Sequence, residues 1–273
     1  AVRLVAEQSR IEYTGTDVAS GLRWRTGRSM RDRRHCCSRV TPTVRCNVES
    51  MRAGSGALLA VGVLMVGGRA TVALAPGVAD RMAPARQLVV DVVAEDRTVY
   101  GITTGFGRLA TTHIDPEEGA RLQVALLRSH AAGVGERLRD RTVRAMLLLR
   151  ARTLAQGYSG VRPVIVERLV EFVNRGLLPV VPGQGSVGAS GDLAPFAHLA
   201  LPLIGEGRVR VGGVEQEAAA ALAAAGLEPL VLEPKEGLSL LNGTEGMLAL
   251  GVLAVDQARI LADAADVACA LSV

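Results

Sequence analysis

Residues 183–191 constrain this chain more than any other segment, because they read Gly-Gln-Gly-Ser-Val-Gly-Ala-Ser-Gly. Four glycines in nine positions indicate a backbone that adopts unusual torsion angles or lies close to its surroundings. Three interpretations are open: a loop that binds a dinucleotide, a structural connection without chemistry, and a segment that reacts with itself.

The dinucleotide interpretation rests on the spacing Gly183-x-Gly185-x-x-Gly188. That fingerprint is weak unless it links a strand to a helix within a βαβ unit. Here a helical pattern precedes the candidate strand Leu177–Val181, and Pro195 lies early in the helix that should follow. The context therefore disfavours nucleotide binding, while a purely structural glycine-rich connection remains open.

The third interpretation is chemical and concerns Ala189-Ser190-Gly191. In a tightly bent loop the unshielded Gly191 nitrogen can attack the Ala189 carbonyl carbon and close a five-membered ring. Loss of that oxygen and of the Ser190 hydroxyl as two waters leaves an electron-poor exocyclic alkene. Flanking glycines permit the compression, and the surrounding structure must support the strain.

The rest of the chain predicts a mainly helical protein. Hydrophobic residues make up 49% and aromatic residues only 3%, so Ala, Val and Leu must build the core, and Ala and Leu favour helices. Apolar periodicity and terminal signals predict helices over 115–132, 140–155, 163–174, 217–225 and from about 244 onward. A strand is predicted at 70–74, a hairpin at 208–216, and a short buried helix at 56–66.

Positive charge is concentrated in residues 1–50, where ten arginines face five acidic residues, a net of +5. The whole chain carries +4, so the remainder has no basic stripe that would suit nucleic acid. We expect residues 1–50 to be a disordered or non-native basic tail, with the natural start at Met51 or Met65.

Cysteine spacing indicates neither a disulfide framework nor a metal site, because three of the four cysteines lie within the first 50 residues. A reducing, cytoplasmic setting is therefore expected. The helix predicted from about Thr244 contains charged residues within its apolar sequence, at Asp256, Arg259 and Asp263. These favour a core helix over a membrane span. Its pattern is still running at Val273, so we expect a chain cut within an element.

The segment from Gly185 to Pro195, Gly-Ser-Val-Gly-Ala-Ser-Gly-Asp-Leu-Ala-Pro, resembles the signature of the aromatic amino acid ammonia-lyases. These enzymes carry 4-methylidene-imidazol-5-one (MIO), which forms from the triplet. The resemblance continues through Phe196-Ala197-His198, although histidine-specific members have Leu at the first of these positions. It implies that Ala189, Ser190 and Gly191 form the cofactor and that no diffusible cofactor is needed.

Three further segments resemble the same family in the same order. Tyr100 begins the motif Tyr-Gly-Ile-Thr-Thr-Gly-Phe-Gly, and its counterpart acts as the base toward substrate. His130 lies in Ser-His-Ala-Ala-Gly-Val-Gly, the histidine-specific form, and is implied to contact the substrate side chain. Asn242 ends Glu-Gly-Leu-Ser-Leu-Leu-Asn, and is implied to orient the cofactor or the substrate amine.

The resemblance implies non-oxidative deamination of L-histidine to urocanate and ammonia. Tyrosine-specific relatives also carry histidine at the position of His130, so a tyrosine or phenylalanine ammonia-lyase, or an aminomutase, is the close alternative. A catalytically incomplete fragment is the other alternative, because the family's arginine, glutamine, tyrosine, phenylalanine and glutamate positions further along are not present.

The implied fold is a fumarase/aspartase-like helical fold with a small β-hairpin and glycine-rich active-site loops. Residues 51–273 would form its N-terminal part and part of the central helical region, truncated before the end of the helix bundle. The resemblance implies a homotetramer for the full-length protein and a small amino acid as substrate, and we expect neither a nucleic-acid nor a membrane partner.

Overall fold

The computed structural model of the chain describes residues 44–47, 70–115, 118–188 and 190–272. Strand β1 (Val44–Asn47) pairs in parallel with β2 (Ala70–Ala73). Strand β2 confirms the strand predicted at 70–74. Strand β1 was not predicted, because backbone pairing needs no apolar periodicity that the sequence would show. The rest of that segment and the helix predicted at 56–66 lie outside the described residues.

Helices make up most of the described chain, which confirms a mainly helical fold. They are α1 (Val78–Ala94), α2 (Gly119–His130), α3 (Asp140–Leu154), α4 (Pro163–Arg175), α5 (Leu193–Ala200), α6 (Ala218–Ala224), α7 (Glu236–Leu241) and α8 (Glu245–Ser272). Short 3₁₀ turns cover Gly107–Leu109 and Leu201–Ile204.

Helix α4 shows how local sequence sets the boundaries. Pro163 occupies the first turn, where its missing N–H would have no partner in any case. Gly176 adopts φ 66° directly after the last helical residue and ends the helix in the left-handed region. Helices α3, α6 and α8 likewise begin within about one residue of their predicted starts.

Helix α2 is shorter than its predicted span of 115–132. It begins at Gly119, with Glu118 rather than Asp115 at the cap position, and ends at His130. The early end has a local cause, because Ala131 leaves the helical region at ψ 54° and the chain turns toward strand β3 (Val134–Arg137).

The small sheets connect the helices at the site. Strand β3 pairs antiparallel with β5 (Pro182–Gln184), and β4 (Leu178–Pro179) pairs with β6 (Arg208–Val211), which pairs with β7 (Val214–Glu217). The predicted hairpin is confirmed, with positive φ at Gly212 and Gly213 in its turn. These pairs are all antiparallel, so the glycine-rich segment does not lie in a βαβ unit.

In the core, α3 packs against α4 and against the first turns of α8, while α5 packs against α2 and α7. Side chains that are fully buried include Met146, Leu147, Leu154, Ile165, Leu169, Phe172 and Phe196. The predicted core of Ala, Val and Leu is therefore present, with two of the few aromatic side chains at its centre.

Helix α8 differs between its two ends. Glu245, Gly246, Ala249 and Leu253 are buried, whereas nearly all residues from 254 to 272 are exposed in this chain. By length and composition alone, the stretch Glu236–Ser272 is apolar enough to cross a membrane. The helix is thus a core helix over its first turns only.

Candidate active site

In the loop after α1, Tyr100 is exposed whereas the neighbouring Gly101 is buried. Gly101 is buried at φ 71°, and a Cβ there would lie 2.7 Å from Leu238 Cδ2. The Gly101 N–H donates to Thr104 Oγ1 at 3.3 Å. The Tyr100 ring stands edge-on to Phe106, with centroids 6.1 Å apart, and is 58% exposed. The loop is therefore packed on α7, whereas the phenol remains accessible.

His130 closes α2 with a defined ring orientation. Its Nδ1 lies 2.9 Å from the carbonyl oxygen of Leu126 and 3.1 Å from Ser129 Oγ. A carbonyl only accepts hydrogen bonds, so this geometry assigns the proton of the neutral ring to Nδ1. The Nε2 atom of His130 is then left as an acceptor.

His198 connects the His130 segment to the glycine-rich loop. Its Nε2 accepts the N–H of Gly133 at 3.1 Å, so the neutral ring carries its proton on Nδ1. Burial lowers the pKa of His198. On the other side of Gly133, a Cβ on Gly185 would lie 3.1 Å from the Gly133 Cα. The segments of His130 and of residues 183–191 thus lie in backbone contact.

Gly191 lies against Gly243 without room for a side chain. It adopts φ 123°, and a Cβ on it would overlap the Gly243 carbonyl oxygen and lie 2.9 Å from the Gly243 nitrogen. Ser190 is exposed beside this contact, and Ala189 lies outside the described residues. The structure therefore brings Ser190 and Gly191 next to Asn242, the neighbour of Gly243 in the chain.

Asp192 is only 1% exposed and stabilises the contact between Gly191 and Gly243. Its N–H donates to the Gly243 carbonyl oxygen at 2.7 Å. Its carboxylate accepts Ser186 Oγ–H at 2.6 Å and the Met247 N–H at 2.9 Å. One buried side chain therefore joins the glycine-rich loop to the start of α8.

Asn242 follows the last turn of α7 and is exposed. Its backbone N–H donates to the Leu238 carbonyl oxygen at 2.9 Å. Helix α7 itself packs on α2, where the Leu238 N–H donates to Gln123 Oε1 at 3.2 Å. Leu238 also contacts the Tyr100 loop, so one turn of α7 carries the contacts of both predicted site segments.

The four predicted segments thus meet through neighbouring residues. Residues 101 and 238, 191 and 243, and 133 and 185 are the pairs in contact. Two of these contacts join backbones, and the contact of Gly101 is with the Leu238 side chain. No direct contact joins the side chains of Tyr100, His130 and Asn242 within the described residues. A cleft of about 860 Å³ beside α2, lined by His113, Arg128 and Glu206 among others, contains none of the predicted site residues.

Arg150 and Glu245 lie beneath the same contact, although the sequence did not point to them. Their side chains are 2% and 7% exposed, and Arg150 Nη1 lies 3.1 Å from Glu245 Oε1. The guanidinium carbon of Arg150 lies 4.8 Å from the centre of the Phe196 ring. Burial lowers the pKa of Arg150, and the charges of Glu245 and Asp192 oppose that shift. A charged residue inside the apolar run of α3 was the available signal.

The described residues fit a cofactor made from the triplet. The Gly191–Gly243 contact leaves no space for side chains, and Gly188 adopts φ 64° just before the triplet. Both features suit a loop that is bent and held under compression. Within the described part of the chain, no group of three or more His, Cys, Asp or Glu residues could hold a metal ion.

Comparison with known proteins identifies relatives of this chain. Residues 59–273 match the family described as aromatic amino acid lyase. A histidine ammonia-lyase of Koribacter versatilis (strain Ellin345) is 54% identical over 188 residues, which cover 69% of this chain and 36% of that relative.

Two solved structures are also similar. A tyrosine aminomutase from Streptomyces globisporus has a TM-score of 0.68 at 40% identity, over 73% of this chain and 38% of that one. A histidine ammonia-lyase from Trypanosoma cruzi has a TM-score of 0.67 at 39% identity, over 76% and 39%. This chain therefore spans less than half the length of the relatives it matches.

Proposed function

Because residues 59–273 match it, this chain belongs to the aromatic amino acid lyase family, and we propose that its protein deaminates L-histidine. The reaction is non-oxidative: a proton leaves the β-carbon, the bond from Cα to the amine breaks, and urocanate and ammonia form. The observation that supports the proposal most directly is the contact between Gly191 and Gly243, the residue that follows Asn242.

Ala189, Ser190 and Gly191 would supply the MIO group. Once formed, MIO supplies an electrophilic alkene that makes the amine a better leaving group. Gly191 meets the requirement of ring closure for a nitrogen with no side chain beside it. Asn242 is exposed and precedes Gly243, which contacts Gly191, and its amide can orient the substrate amine or the cofactor oxygen.

Tyr100 is proposed as the base that takes the β-proton. Its exposed phenol stands on a loop whose buried glycine is packed against α7, one turn before Asn242. A base held on such a loop can approach a substrate that Asn242 orients.

His130 is proposed to select the substrate side chain. Its Nε2 is left as an acceptor because Nδ1 faces the Leu126 carbonyl oxygen. An imidazole substrate can donate an N–H to that atom, which supports histidine. The curated relatives named histidine ammonia-lyase, at 54% identity, support the same substrate.

A tyrosine-specific lyase or aminomutase is the second candidate. It is supported by the tyrosine aminomutase structure at 40% identity, since an acceptor nitrogen can also receive a phenol O–H. A phenylalanine-specific enzyme is less well supported, because a phenyl ring has no donor for His130.

Assembly and location are proposed from the family. The exposed apolar residues of α8, including Leu250, Ile260, Leu261 and Val267, would be covered in a homotetramer, which would also complete sites to which this chain contributes. A cytoplasmic location, a small amino acid as the substrate and the absence of nucleic-acid and membrane partners belong to the same proposal.

The test is a product assay on the protein with each amino acid in turn. We expect urocanate from histidine, with little coumarate from tyrosine or cinnamate from phenylalanine, and loss of all products in Ser190→Ala. Conversion of tyrosine to its β-amino isomer, with histidine left unchanged, would contradict the histidine proposal and establish the alternative.

A further inference from the structure

Arg150 is a buried cation with few partners. It is 2% exposed, and within the described residues its ion pair is the contact with Glu245. Within the described part of the chain, Arg150 Nε and Nη2 and Glu245 Oε2 are buried without hydrogen-bond partners. A buried ion pair with unsatisfied atoms is poor evidence for stabilisation, because the desolvation of both charges is not fully offset. A role other than stability is therefore indicated.

The pair closes directly over Gly243. A Cβ on Gly243 would overlap both Arg150 Nη2 and Glu245 Oε2 and would lie 2.7 Å from Arg150 Cζ. The carbonyl group of the same residue meets Gly191 and accepts the Asp192 N–H at 2.7 Å. Gly243 is therefore held between the Arg150–Glu245 pair and the glycine-rich loop.

Charge supports the same arrangement. Arg150 attracts Asp192 as well as Glu245; Asp192 follows the glycine-rich loop, whereas Glu245 begins α8. Asp192 also accepts the Met247 N–H. One guanidinium therefore draws the glycine-rich loop and the start of α8 toward each other.

We propose that Arg150 is a positioning residue that, with Glu245, holds Gly243 against Gly191 and Asp192. Its consequence rests on the proposed function: the fixed contact keeps the loop bent while the triplet closes. In that closure the Gly191 nitrogen bonds to the Ala189 carbonyl carbon, whose oxygen leaves as water with the Gly191 and Ser190 amide protons. The Ser190 hydroxyl and its Cα hydrogen leave as a second water, so no oxidant or reductant is required.

The test uses two readouts on the full chain. Hydrogen exchange of the Asp192 amide reports the contact with Gly243, and intact mass reports closure, which removes two waters or roughly 36 Da. The first variant combines Arg150→Met with Glu245→Met and removes both charges together. The second is Arg150→Lys, which keeps the positive charge but lacks the planar set of guanidinium N–H donors. Arg168→Met is the matched control, since Arg168 is also buried and paired, but with Glu171 on α4.

We expect the double variant to exchange the Asp192 amide at least about tenfold faster and to close at least about tenfold less of the triplet. Arg150→Lys should fall between it and the parent, and Arg168→Met should match the parent in both readouts. If the double variant does not fold, Arg150→Lys decides by the same two readouts.

Parent-like exchange in the folded double variant, or in Arg150→Lys if only that variant folds, would overturn the proposal whatever the mass shows. A parent chain without the mass deficit would instead contradict the proposed function. Faster exchange in the variants would still support the positioning role of Arg150 in that case.

Discussion

Two ion pairs stand at the starts of consecutive helices and differ in how completely they are bonded. At α7, Glu236 is fully buried and accepts hydrogen bonds from the backbone N–H groups of Arg162 and Glu233 and from the Arg162 guanidinium. At α8, the Arg150–Glu245 pair has one hydrogen bond and three unsatisfied atoms. The Arg162–Glu236 pair satisfies backbone groups of the fold, whereas the Arg150–Glu245 pair lies against the glycine-rich loop that contains Ser190 and Gly191.

The difference suggests that one ion pair stabilises the fold and that the other fixes local geometry. Buried carboxylates that satisfy backbone donors stabilise the fold because removal leaves those donors unpaired. A sparsely bonded pair contributes little to stability and can be retained for geometry. The same substitution is therefore expected to lower the stability much more at the start of α7 than at the start of α8.

The largest expected effect comes from removing each pair whole. Replacing Arg162 and Glu236 together by Met leaves two backbone N–H groups unpaired and should cost about 2–6 kcal/mol of unfolding free energy. The corresponding replacement of Arg150 and Glu245 should change it by about 1 kcal/mol or less. Chemical unfolding of both variants measures this, and equal losses would remove the distinction.

The next effect concerns the glycines of the reactive loop. Gly191→Ala should cost at least about 2 kcal/mol, because the new Cβ would overlap the Gly243 carbonyl group at an unfavourable φ. Gly188→Ala is the matched control: its φ is also positive, but nothing lies within 4 Å of the new Cβ, so about 1–2 kcal/mol is expected. A Gly191→Ala variant no less stable than the control would show that the contact is not tight.

A smaller, pH-dependent effect is expected from His198. Burial lowers its pKa in the folded chain, so the unfolded chain, with a pKa near 6.5, binds a proton at higher pH than the folded chain does. The stability that the neutral ring contributes is thus present above about pH 6.5 and is lost as the pH falls from there to the lower folded pKa.

His198→Gln serves as the control, because its amide can still accept the Gly133 N–H but does not titrate. The thermal midpoint of the parent should fall more steeply than that of the variant below pH 6.5. Parallel curves would show that protonation of His198 is not coupled to the fold.

Much of the scaffold could be predicted from local signals. Pro163 and Gly176 mark the ends of α4, and Gly212-Gly213 marks the hairpin, because each of these residues has a conformational preference that acts within a few positions. The segment around Ser190 could also be identified from sequence, because the residues needed for ring closure are consecutive in the chain.

The parts that escaped prediction depend on distant partners. Arg150 and Glu245 are 95 positions apart in the chain, and nothing in either local sequence identifies the other. The Gly133 N–H and His198 are 65 positions apart. The strand at Val44–Asn47 was missed for a similar reason, since its partner lies at Ala70–Ala73.

The central claim is that Ala189-Ser190-Gly191 closes on itself, and intact mass tests it most directly. The parent chain should weigh roughly 36 Da less than its sequence requires, and Ser190→Ala should weigh at least one lost water, or roughly 18 Da, closer to its own sequence mass. A folded parent with the full sequence mass, indistinguishable in deficit from Ser190→Ala, would contradict the claim.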